Sequence, residues 1–344
     1  MSRARDFADL AGSADAGGIT GRNLIINGAM QVAQRGTSVT GLGGSGAYGA
    51  VDRFRIGAGS TNGRLTASQV AVTDLPGFTT ALKLECTTAD TSIAAGENLI
   101  IQQKLEGKDV QHLKKGTSSA EPITISFYVK GNAAATYTCE AKDQDNTRYN
   151  NQEFSVTTSW NRISLTFVGD TTGSFTNDNN ASFELGLWLH AGSTFTSGTF
   201  ASNTWHTDNG KRVGDNQTSF YDSTSRTFFL TGVQMEVGEQ ATPFEHRSFG
   251  DELRKCQRYY QIIDDAIWTG DVTTGNDYYY NTPRPVEMRA AATQTYSGVA
   301  SSRFDTSSIA NGTNNKTVVS VFCRSNATGS RGYYAFDIQS DAEL

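Results

Sequence analysis

Short runs of alternating apolar and polar residues recur along this chain, and each predicts a half-buried strand. Pro122 to Lys130, PITISFYVK, puts Ile123, Ile125, Phe127 and Val129 on one face and Thr124, Ser126, Tyr128 and Lys130 on the other. In SFELGLWLH, Phe183, Leu185, Leu187 and Leu189 face one way, and Glu184, Gly186, Trp188 and His190 face the other. Val233, Met235 and Val237 alternate with Gln234 and Glu236 at the end of a strand predicted over Thr227 to Val237. Further strands are predicted over Asn23–Gln34, Val51–Ile56, Arg64–Val72, Thr80–Thr87, Glu97–Leu105, Thr136–Lys142 and Trp160–Val168. Only one short helix, Gly107 to Lys115, is expected among them. Many short strands with turns between them and no long helix predict an all-β fold, an antiparallel jelly-roll sandwich.

The period changes once. Gly238 breaks the last strand and Pro243 cannot donate to a ladder. From Ser248, the apolar residues Phe249, Leu253, Cys256 and Tyr260 fall at helical spacing. Ser248 suits an N-cap, Asp251 and Glu252 the first turn, and Arg254, Lys255 and Arg258 the later turns. The chain therefore divides into an N-terminal piece (1–22), a jelly-roll domain (23–245), a neck helix (246–262) and a distal, smaller β domain (263–344). The distal segment interleaves Trp268, Tyr278, Tyr279, Tyr280 and Phe304 with small polar residues, and strands are expected over Thr317–Cys323 and Gly332–Ile338. Its core looks meagre for an independent domain, so trimerisation or docking is expected to supply the missing burial. Residues 1–22 read either as a peg that orders against a partner or as a frayed terminus.

Composition narrows the function. Charged residues make up 19% of the 344 residues, and the formal net charge of −6 argues against a nucleic-acid partner. No apolar run reaches membrane-spanning length, and MSRARDFADL lacks the apolar core of a signal peptide, so synthesis and folding in a cytoplasm are expected. The cysteines, Cys86, Cys139, Cys256 and Cys323, are far apart and read as buried free thiols rather than a disulfide framework or zinc site. The glycine-rich stretch from Gly41 has no following helix and no GK[ST], so it is not a phosphate loop.

Candidate chemistry concentrates on the outward set Tyr128, Trp188, His190, Gln234 and Glu236. If the strands are neighbours, one sheet presents aromatic rings beside carboxylate and amide groups. A glycan platform needs that combination, a subunit interface needs much the same residues, and a solvated face is the plain alternative. Trp205 lies in the long loop from Ala191 to Ser225 and is either a ligand contact or a plug for the sandwich end. Glu184 and Glu236 form a carboxylate pair of the kind an acidic chain supplies by chance, and no GxSxG stands in the sequence, so no enzyme is expected. Phe249, Leu253, Cys256 and Tyr260 are the oligomerisation candidates.

The opening MSRARDFADL, the stretch NLIINGAMQVAQRG with VDRF after it, and LTGVQMEVGEQATPFEHRSFGDELRKCQRYY resemble bacteriophage tail-fibre and related virion proteins. The resemblance implies a carbohydrate-binding-module-like jelly roll followed by a distal domain, in a virion protein that is usually a homotrimer, projects from the particle and touches the host surface, with a surface polysaccharide or receptor as its partner. It implies attachment to another virion protein through the N-terminal peg, and no catalytic residues. It allows a structural calcium ion, with no ligand set matched to residues and no other cofactor. The short chain lacks a repetitive shaft, which leaves a compact fibre tip, a tail-associated adhesin or a head-decorating fibre; a non-virion carbohydrate-binding module and a depolymerase acting on host glycans are the alternative readings.

Overall fold

The computed structural model describes residues 21–344, the side chains of Thr313 and Asn314 aside. The chain divides into two compact units, one ending at Phe249 and the other beginning at Gly250. Residues 1–20, which include most of the expected peg, lie outside the described residues.

The first unit is an antiparallel two-sheet sandwich. Its strands are β1 (Ser38–Leu42), β2 (Ala47–Tyr48), β3 (Arg55–Gly59), β4 (Arg64–Ala71), β5 (Thr80–Thr88), β6 (Asn98–Glu106), β7 (Ile123–Gly131), β8 (Ala135–Asp143), β9 (Arg148–Val156), β10 (Asn161–Phe167), β11 (Ala181–Ala191) and β12 (Thr227–Val237). One six-stranded sheet runs β1-β4-β5-β12-β7-β10 and the other β2-β3-β6-β11-β8-β9, so the chain crosses repeatedly between sheets. The predicted inward residues meet between them. Ile125, Phe127, Val129, Phe228 and Leu230 of the first sheet join Leu185, Leu187, Leu189 and Phe154 of the second in one continuous buried core. Burying each such side chain contributes about 1.5–3 kcal/mol, which fixes the register of every strand that carries one.

Three predicted elements differ. Asn23–Gln34 is not a strand. Asn27 has a positive φ of 60°, and its side chain serves four backbone groups: the N–H of Gln31 and Val32 and the carbonyls of Val32 and Asp52. An asparagine that satisfies the backbone this way bends the chain out of any ladder. The segment still lies along β12, through Leu24 N to Met235 O and Val233 N to Gly28 O. Gly28 is required there, since a Cβ would stand 2.1 Å from Val233 O. The strand expected over Val51–Ile56 starts only at Arg55, after Arg53 adopts a φ of 71°. Gly107–Lys115 forms two 3₁₀ turns rather than an α-helix.

The helix spans Phe249–Gln257, shorter than the expected neck. Tyr260 already belongs to β13 (Tyr260–Val272), where it pairs with Asp341. Its helical spacing is outweighed by the run of β-favouring Tyr259, Tyr260, Ile262 and Ile263. Five strands follow: β14 (Asp277–Pro283), β15 (Thr293–Ser302), β16 (Phe304–Asn314), β17 (Val318–Ser325) and β18 (Gly329–Asp341). They form the sheets β13-β18-β15 and β14-β17-β16. The distal unit carries a core of its own. Val319, Val321, Cys323, Phe304 and Ile338 are buried, and Trp268, Tyr334 and Phe336 stack with centroids 5.9 and 5.5 Å apart. All four cysteines are buried free thiols.

Candidate functional site

The outward set does not form one surface. Trp188 and His190 stand on β11 of the second sheet; Tyr128 on β7 and Gln234 and Glu236 on β12 belong to the first. Alternation assigned each to the face away from the core, but two covers then bury four of the five.

The first cover is a strap, the segment from Ala191 to Ser225. It lies over the outer face of the second sheet and leaves Trp188 only 1% exposed, packed with Ile100, Val213 and Phe195. Its anchor is Arg212. The guanidinium sits 4.1 Å from the Tyr149 ring centroid and 4.6 Å from that of Trp188. It donates to Glu140 through Nε at 2.7 Å and Nη2 at 2.6 Å. Burial works against its charge, yet Glu140 overcomes that and raises its pKa further. His190 is also buried, with Nε2 3.0 Å from Glu97 Oε2 and Nδ1 2.8 Å from Ser219 Oγ of the strap. Burial lowers the His190 pKa, and the Glu97 carboxylate only partly offsets it.

The second cover is the corner after β12. Gln234 Nε2 donates to Glu236 Oε2 at 2.7 Å, and its Oε1 accepts from Glu245 N at 2.7 Å. Glu236 accepts from Thr242 N and is paired with Arg22 at 3.2 Å. Gln234 and Glu236 thus fasten the corner and the N-terminal arm to the sheet and do not face solvent.

Tyr128 stays at the surface, and it has company that the sequence reading missed. On the outer face of the first sheet, Phe229 of β12 lies directly between Lys83 of β5 and Lys130 of β7. Trp160, just before β10, continues the row, with its indole centroid 4.9 Å from Lys130 Nζ and 6.3 Å from Phe229. Trp160 Nε1 donates to Asp74 Oδ1 at 2.8 Å, and Lys130 Nζ donates to Asp74 Oδ2 at 2.6 Å. Those two hydrogen bonds, Lys130 first, hold the Asp74 carboxyl below its ordinary range. Next along the face, Tyr128 lies 5.2 Å from Phe78, which meets Phe244 at 5.1 Å and His246 at 5.3 Å. The signal for Phe229 was present: if Phe228 and Leu230 face inward, Phe229 faces out. It was hidden by a bulge between Thr231 and Gln234, where Gly232 at φ 61° shifts the alternation by one residue.

Trp205 is half-buried at the edge of an open pocket of about 280 Å³, solvent at its mouth included. The pocket is lined by Leu113, Ile123, Val168, Phe175 and Phe183, with Lys115, Glu121 and Asp170 among them. Trp205 Nε1 donates to Val168 O at 2.7 Å, which fixes the indole. Lys115 Nζ lies 5.4 Å from the Trp205 ring and 5.5 Å from that of Phe175. It is paired with Asp170 and Asp143 and donates to Thr172 O at 2.6 Å. Arg148 binds both Asp170 oxygens, at 2.7 and 3.1 Å. Burial alone would raise the Asp170 pKa, but the hydrogen bonds from Arg148 and Lys115 hold it below the ordinary carboxylate range.

Glu184 and Glu236 lie in different sheets and are no pair. Glu184 accepts from Gln102 at 2.6 Å and from Gln144. Among the described residues, no group of three or more His, Cys, Asp or Glu stands at metal-binding distances.

No family model and no curated protein matches the chain. Among solved structures, it is similar to the enzymatically active domain of tailspike protein 4 of bacteriophage CBA120, at 11% identity and a TM-score of 0.31, over 63% of this chain and 21% of that one. This chain therefore spans about a fifth of that tailspike structure. It is also similar to the family 11 carbohydrate-binding module of a Clostridium thermocellum cellulase, at 11% identity and a TM-score of 0.29, over 65% of this chain and 97% of that one. A third match is the CBM22 tandem domain of Paenibacillus barcinonensis Xyn10C, at 12% identity and a TM-score of 0.30, covering 94% and 96% of the two chains.

Proposed function

We propose that this chain is an adhesive virion protein, a tail fibre or tail-associated adhesin, whose sandwich contacts host surface glycans. It carries no catalytic step, works as a homotrimer in the virion, and joins another virion protein through its N-terminal residues. The observation that carries the glycan reading is the row Lys83, Phe229, Lys130 and Trp160 on the outer face of the first sheet. Aromatic faces there stand beside ammonium and carboxylate groups on a rigid sheet. Sugar rings present apolar C–H faces and a rim of hydroxyls, so both kinds of contact are available at once. The sequence resemblance at both ends of the sandwich supports the virion setting.

Surface-immobilised host polysaccharide, titrated with purified chain, tests this. Trp160→Ala and Phe229→Ala are each expected to weaken binding by about 3- to 10-fold, with circular dichroism unchanged. Absence of binding by the unaltered chain, or binding by both variants as strong as that of the unaltered chain, would remove the proposal.

A further inference from the structure

We infer that the pocket beside Trp205 takes the acetamido methyl of a neutral N-acetylhexosamine residue, which deepens the glycan-binding reading and rests on it. Size comes first. The space of about 280 Å³ includes open solvent at its mouth, so the lined part admits a group about the size of a methyl rather than a whole sugar ring.

The walls decide the chemistry. Leu113, Ile123, Phe175 and Phe183 offer only carbon, and Val168 is 46% exposed beside them. A hydroxyl pushed against these walls loses water without gaining a partner, whereas a methyl loses nothing. The polar groups close by are already matched. Lys115 is engaged by Asp143, Asp170 and Thr172 O; Arg148 is engaged by Asp170; Lys114 is engaged by Glu121 Oε1. Three cations against three carboxylates leave no unmatched positive charge for a uronate or sialate. Glu121 lines the pocket and binds Lys114 through Oε1, which leaves Oε2 as the acceptor for the N–H of an acetamido group. That acceptor distinguishes an acetamido methyl from the methyl of a 6-deoxy sugar, which the carbon walls alone would also accept.

Saturation-transfer NMR on the full chain, with N-acetylglucosamine, glucose, rhamnose and glucuronate as separate probes, tests the assignment. Saturation should be strongest on the acetyl methyl protons, and N-acetylglucosamine should bind about fourfold or more tighter than glucose. Trp205→Ala should abolish that signal. Glu121→Gln should weaken N-acetylglucosamine and leave rhamnose as it was. Should Trp205→Ala fail to fold, Val168→Asp at the exposed rim gives the same reading. Equal binding of glucose and N-acetylglucosamine, or a rhamnose signal as strong as the acetyl one, overturns the inference. Polysaccharide binding without any free-sugar signal also overturns it while leaving the adhesin role intact. A free-sugar signal without polysaccharide binding does the reverse.

Discussion

Arg212 decides what the outer face of the second sheet can do. Its guanidinium lies against both Tyr149 and Trp188 and meets Glu140 through two hydrogen bonds. That arrangement converts an aromatic surface into the floor beneath the strap. Trp188→Ala, which would test a binding platform if Trp188 were exposed, is instead a core truncation expected to cost about 3–5 kcal/mol. A sharper test acts on the pair. Arg212→Met keeps the bulk but leaves Glu140 buried and alone, and should lower unfolding free energy by about 3–5 kcal/mol. Adding Glu140→Gln removes the stranded charge and should recover part of that loss. Urea denaturation of the two variants measures it; equal stability of both would mean that the charge pair is not what holds the strap. At this scale the sequence was informative about direction and silent about cover. The period-2 pattern correctly sent Trp188, His190, Gln234 and Glu236 away from the core. Nothing in the alternation told that Arg212 returns over Trp188 and Ser219 over His190, or that Thr242, six and eight residues on, folds back against Glu236 and Gln234.

The elements show why some patterns were readable and others were not. The strands around Ile125, Leu185 and Leu230 carry long alternations that only a sandwich core satisfies, so their existence followed from the sequence. Asn23–Gln34 has apolar residues at strand-like positions, but Asn27 offers the backbone a competing set of hydrogen bonds. Tyr260 matched helical spacing and went to a strand because the neighbouring residues favour extended structure. The strap is the largest such element, and its attachment is sensitive to acid. His190 joins β11 to the strap at Ser219 and to Glu97 before β6. Burial lowers its pKa from 6.5 in the folded chain, and burial does the same to His112 and His206. As pH falls through about 6.5, the unfolded chain gains these protons before the folded one does, so stability drops with acid in that window. The depressed carboxyls, Asp170 and Glu245, act with the same sign but only as pH falls below about 4. Thermal melts should therefore show a constant midpoint above about pH 7.5 and a falling one from about pH 6.5 to 5. His190→Gln should flatten part of that fall. A midpoint independent of pH over that range would contradict the burial argument.

For the whole molecule, the proposed adhesin role requires that weak glycan contacts on one chain add up to useful attachment. Three copies carrying the same surfaces gain avidity without any new contact. The predicted contact residues need revision before this is tested. Cys256 and Tyr260 are already buried in a single chain, so they have nothing left to offer another copy. Phe249, 56% exposed, and the half-buried Leu253 remain from the helix. The distal unit adds a second apolar surface, because Ile267 of β13 and Tyr333 of β18 are 53% and 39% exposed on the outer face of one sheet. Its own core means that these residues are not needed to fold the unit, which frees them for contact between copies. Size-exclusion chromatography with light scattering should give a mass three times the 37.0 kDa chain at micromolar concentration. Phe249→Ser should weaken that species, and Ile267→Lys with Tyr333→Lys should weaken it more, while far-ultraviolet circular dichroism stays the same. If the unaltered chain runs as a monomer at micromolar concentration, the trimer is wrong. If it runs as a trimer that all three substitutions leave intact, the subunits meet elsewhere, and the exposed rings of the distal unit become candidates for the host-facing surface.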